Sequence, residues 1–160
     1  MCYAAGSSVV LYTTMVAVQA NWSRIVHELA LPALPEAGLW TAAIEFIAGP
    51  RKYKIAAAGQ WELEEGRDYG PDGACFGGDI VDKCLNANAP RGCLIGKIGG
   101  GTADRTGYIF PVGHLTVIEV PETPVAAGPG RGTLFLTMND EPARFPNHRG
   151  ELRINIWEAP

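Results

Sequence analysis

The chain has 160 residues, 47% of them apolar, and a formal charge of −4. That length suits one domain burying roughly two-thirds of its unfolded surface, and the acidic balance gives no support to nucleic-acid binding, which needs a basic face. No apolar run is long enough to cross a bilayer as a helix.

Residues 1–21 read as a leader or as an extra N-terminal strand, ahead of a single β-sandwich domain over 22–160. Ser8 to Ala20 is mostly apolar and ends Val18-Gln19-Ala20, like a small-residue cleavage site. The first basic residue is Arg24, so the charged start of a secretory signal is missing. Thr14 to Val18 reads equally as a strand. Export stays open between cytoplasm and secretion, with extracellular action favoured.

Apolar–polar alternation then predicts a succession of short strands. The first is Ile25–Leu31, although Trp22, Ile25, Val26 and Leu29 also fall at helical spacing. Trp40–Ile47 and Lys52–Trp61 follow, separated by the Ala48-Gly49-Pro50 turn, with Trp40 and Trp61 expected in the core. A polar connection runs from Glu62 to Arg91, longer than a compact domain keeps without purpose. It is either functional or pinned by a bridge, for which Cys75 with Cys84 is a candidate; the pairing among Cys75, Cys84 and Cys93 stays open. Next come strands over Cys93–Ile98 and Leu115–Val120. Two final strands carry Leu134, Leu136 and Met138, then Leu152, Ile154 and Ile156, each set on one face. Twenty Gly and twelve Pro supply the turns. Seven or so strands without alternating helices predict an all-β, antiparallel β-sandwich of jelly-roll or galactose-binding type.

The connection between the last two strands, Asn139 to Gly150, is too long for a tight hairpin. Asp140, Asn147, Pro142 and Pro146 make it a stiff polar loop suited to a hard cation or a polar ligand. The competing reading is a solvated turn, because Asn, Asp, Pro and Gly are what turns are made of.

Catalytic constellations are weaker. His27, His114 and His148 are too dispersed for a zinc triad, and Cys93 with His114 as a nucleophile pair competes with Cys93 as a core thiol. Glu62, Glu64 and Glu65 could supply a glycosidase acid and base, but charges on a solvated loop explain them better. The expectation is a protein that is not an enzyme.

Several segments, taken in order, resemble the PA-I family of bacterial galactophilic lectins. They are Ala57-Ala58-Gly59-Gln60-Trp61, Tyr69-Gly70-Pro71-Asp72-Gly73, Gly92-Cys93-Leu94-Ile95-Gly96-Lys97-Ile98-Gly99 and Phe110-Pro111-Val112-Gly113. Gly132 to Asp140 and Asn147 to Ile156 complete the set. The resemblance implies a calcium-dependent β-sandwich lectin for a galactoside or glycoconjugate, assembled as a homo-oligomer. It implies a Ca²⁺ site built from both carboxylate oxygens of Asp140, the side-chain carbonyl of Asn147 and the main-chain carbonyls of Leu63 and Arg144. Asp140, Asn147 and Glu141 would meet sugar hydroxyls. This chain has His148 where the family has a second Asn, and an imidazole nitrogen suits a hard cation poorly. The family's sugar-contacting His and Gln have no counterpart in Ala74 to Asp82.

Overall fold

The computed structural model describes residue 22 and residues 24–74, 81–126 and 128–160. The expectation for residues 1–21 falls outside them, as does Cys75. Among the described residues nine strands form: β1 (Arg24–Pro32), β2 (Thr41–Ile47), β3 (Arg51–Glu64), β4 (Arg67–Tyr69), β5 (Leu94–Ile98), β6 (Tyr108–Pro111), β7 (Leu115–Val120), β8 (Gly132–Met138) and β9 (Arg149–Ala159). Two short 3-10 helices cover Val81–Lys83 and Pro142–Asn147.

Every pairing among these strands is antiparallel. One sheet runs β1-β9-β3, with β7 paired to the first half of β3 and β4 to its end. The other runs β2-β8-β5-β6. The faces that meet are those that alternation marks. Tyr53, Ile55, Ala57, Trp61 and Leu63 of β3 and Leu152, Ile154 and Ile156 of β9 are buried against Leu94, Ile98, Leu134, Leu136 and Met138 of the second sheet. The antiparallel β-sandwich expected from the sequence is therefore the observed architecture.

β1 is a strand, not a helix, and it shows why both patterns fitted. A bulge shifts its register between Ile25 and His27. The extra residue lets Val26 and Leu29 both pack against the core, a three-residue spacing that a regular strand would place on opposite faces.

The two central strands of the second sheet, β5 and β8, are buried on both faces. The outer side of this sheet carries Cys93, Ile95 and Phe135, covered by Trp40, Leu85, Ala89 and Phe145 from surrounding loops. Lys97 shares this side, fully buried, with Nζ 4.8 Å from the Trp40 ring centroid. Its ammonium donates to the carbonyls of Gly101 (2.6 Å) and Asp104 (2.9 Å) and to the Asp104 carboxylate (3.1 Å). The described part of the long connection after β4 thus serves packing, because its Leu85 and Ala89 roof this sheet.

Candidate functional site

Three chain segments meet at one rim of the sandwich: the end of β3, the turn that enters β5, and the Asn139–Gly150 connection. Burial at the rim brings them together. Trp61 Nε1–H donates to the Gly92 carbonyl at 2.9 Å, and the Leu63 side chain lies against Gly92, where an added Cβ would come within 2.8 Å of it. Gly92 has φ +78°, a left-handed turn that a side chain would strain. From the other side, Gly92 N–H donates to the Asn139 carbonyl at 2.7 Å.

Asn139, fully buried, organises the neighbouring turn. Its amide donates to the carbonyls of Asn86 (2.9 Å), Ala89 (2.9 Å) and Pro90 (3.1 Å), and its oxygen accepts from Asn86 N–H at 2.9 Å. One side chain holds the stretch from Asn86 to Pro90, adding a donor to three of its carbonyls. Arg91 is thereby delivered beside Asp140.

Asp140 is also fully buried, and four donors converge on it. Arg91 Nε donates to Oδ1 at 2.8 Å and Arg91 Nη2 to Oδ2 at 3.1 Å, a two-pronged contact. Glu141 N–H donates to Oδ1 at 2.8 Å. His148 Nε2 lies 3.0 Å from Oδ2; an ionised carboxylate only accepts, so this nitrogen carries the proton. The imidazole packs on Phe145 with ring centroids 4.7 Å apart, and its Nδ1 is buried with no hydrogen-bond partner among the described residues. Burial alone would push the Asp140 carboxyl up. The His148, Arg91 and Glu141 hydrogen bonds and the Arg91 charge outweigh it and bring the group down to about 2.

These residues can be tested against a calcium ion. A carboxylate has about four acceptor positions, and four donors occupy those of Asp140. Arg91 adds a positive charge where a divalent cation would need to sit, and its Nη1 lies 3.7 Å from Glu64 Oε1 as well. Calcium takes six to eight oxygens, yet the Asp140 oxygens are spent on nitrogen donors. As arranged, the set does not fit the ion.

The remaining expected site residues divide. Asn147 is exposed and lines a groove outside the cage. Glu141 and Arg144 pair with each other, Arg144 Nε to Glu141 Oε2 at 3.3 Å. Leu63 contributes a buried side chain to the cage wall. Asp140 and His148 are brought together, Asn147 lies on the far side of the loop, and Arg91 and Asn139 are the residues that sequence reasoning did not single out. Arg91 is 49 positions from Asp140, so no local spacing announces the pair.

The groove holds about 710 Å³ and is lined by Glu62, Glu64 and Glu65, Arg67, Asn147 and Arg149. It lies between the β3–β4 hairpin and the 3-10 helix of the Asp140 loop. Glu62 accepts from Gly66 N–H at 2.6 Å, and Glu64 accepts from Arg67 Nη1 at 3.2 Å, so the hairpin presents ordered carboxylates. Cys93 and His114, the candidate nucleophile pair, each have a partner of their own. Cys93 Sγ–H donates to the Leu94 carbonyl at 3.2 Å and burial pushes its thiol up, while the His114 ring lies on Asp72 at 2.9 Å. Trp40 and Trp61 are core residues as expected, and half-buried Trp157 lies under Lys54 Nζ at 4.3 Å.

No family model matches the chain, and no curated protein matches it. Among solved structures it is similar to the EclA N-terminal domain, described as a PllA-like lectin, with a TM-score of 0.55 and 17% identity over 84% of this chain and 97% of that one. At that identity the likeness shows a shared fold: the chain is a β-sandwich of the same fold as that domain.

Proposed function

We propose that this chain is a non-enzymatic carbohydrate-binding protein of lectin type. It takes sugar hydroxyls, galactose-type sugars first, in the groove bounded by Glu62, Glu64, Glu65, Arg67, Asn147 and Arg149. One observation carries the reading: a polar groove of ligand size lies against an ordered loop, on a sandwich whose fold is that of a lectin domain. Neighbouring hydroxyls of a sugar donate to carboxylates and accept from guanidinium and amide N–H groups, and the groove offers both kinds on facing walls. Asp140 acts from behind, holding the loop that presents Asn147. A single open groove of this kind binds weakly, so the reading includes self-association, which multiplies weak sites.

A glycan array, run with and without chelator, tests it. Retention of galactose-type sugars is expected in both conditions. Asn147→Ala and Arg149→Ala, both on exposed positions, are expected to lower retention at least about tenfold, with an unchanged melting temperature in Asn147→Ala. Retention that survives both substitutions would put the site elsewhere.

A second reading, a structural or assembly β-sandwich module without a sugar site, draws on the cage itself: Asp140 and His148 are enclosed and spent on internal bonds. A protein that is folded and self-associated by sedimentation, yet retained by no glycan, would favour it.

A further inference from the structure

The Asp140 cage has the parts of a cation site with the cation supplied by the chain. We infer that the Arg91 guanidinium is a built-in, permanent counter-ion that takes over the loop-ordering role of a divalent metal, so that this rim is independent of calcium. The inference stands apart from the sugar reading, because the response to metal is measured with no sugar present.

Three observations support it. The first is stoichiometric: Arg91 Nε and Nη2, Glu141 N–H and His148 Nε2–H use the acceptor capacity of both Asp140 oxygens. The second is geometric. The guanidinium lies between the fully buried Asp140 and the half-buried Glu64 of β3, touching the loop on one side and the sheet on the other, as a bridging ion would. The third is that the position is built. The turn carrying Arg91 is fixed by Asn139 through the Pro90 carbonyl and the Gly92 N–H, and by Trp61 and Leu63 from β3. A planar fork that stays charged in proteins suits a fixed bidentate partner better than an exchangeable ion does.

His148 completes the exchange. An asparagine at this position would offer a carbonyl oxygen to a metal, whereas the imidazole offers an N–H to Asp140 and fills the space against Phe145. Arg91 and His148 act together: each supplies a donor where a metal would have needed an acceptor.

Thermal unfolding of the whole chain in millimolar calcium and then in chelator tests this. The wild-type melting temperature is expected to stay within about 1 °C in both, and calorimetric titration with calcium chloride is expected to show no binding. Arg91→Ala is expected to unfold at least about 5 °C earlier in chelator, and calcium is expected to return part of that loss. Arg91→Ala/His148→Asn, with more oxygen and no competing cation, is expected to regain more. A wild-type protein stabilised by calcium, with the effect lost in Asp140→Asn, would overturn the inference. So would a folded double variant that ignores calcium, since Arg91 would then not occupy a cation position. If neither variant folds, the wild-type titration alone decides between the two outcomes.

Discussion

At the scale of single residues, Asp140 is where charge, burial and loop order meet. Removing it leaves the Arg91 guanidinium, only 18% exposed, without its two-pronged partner and the His148 N–H buried without an acceptor. Asp140→Ala is therefore expected to cost roughly 3–5 kcal/mol, read from urea denaturation. The same residue sets an acid limit. Its folded value, about 2, lies below the ordinary 3.8, so its contribution is complete above the unfolded value and fades as pH falls towards the folded one. Wild-type stability measured downward from pH 5 should show this loss, and Asp140→Ala should lack that component. In the sequence, Asp140 and His148 stand out because both sit in a stiff loop between alternating strands. Arg91 does not, because an ion pair closed over 49 residues leaves no spacing to read.

At the scale of elements, the long connection and the short strands show where pattern reading stops. Alternation locates β2, β3, β5, β7, β8 and β9, whose apolar faces are repeated often enough to register. β4 and β6 have three and four residues, too few alternations to separate from loop. β6 is legible only as Phe110-Pro111-Val112-Gly113, and β4 is hidden in the connection after Glu62. That connection reads as a functional or bridged loop; its described part packs over the outer side of one sheet and is held by Asn139. Asn139→Ala removes four side-chain hydrogen bonds that hold the turn from Asn86 to Pro90. It should cost about 2–4 kcal/mol and speed amide hydrogen exchange from Asn86 to Cys93 more than in β8 or β9.

At the scale of the whole molecule, two sheets share one core, and Leu136, fully buried between them, reports on it. Leu136→Ala should cost about 2–5 kcal/mol in chemical denaturation and should act on both sheets together. Sequence by itself determined the class of this fold, because a half-buried strand must alternate and the Gly- and Pro-rich turns must interrupt it. It also marked the Asn139–Gly150 connection, since stiff polar residues stand out between two apolar strands. Only the tertiary structure decided what that loop holds. Whether a buried carboxylate faces a metal, a sugar or a guanidinium depends on which distant turn the packing of Trp61, Leu63 and Asn139 delivers to it. Here they deliver Arg91, a choice made by contacts across the sandwich rim between segments far apart in the chain.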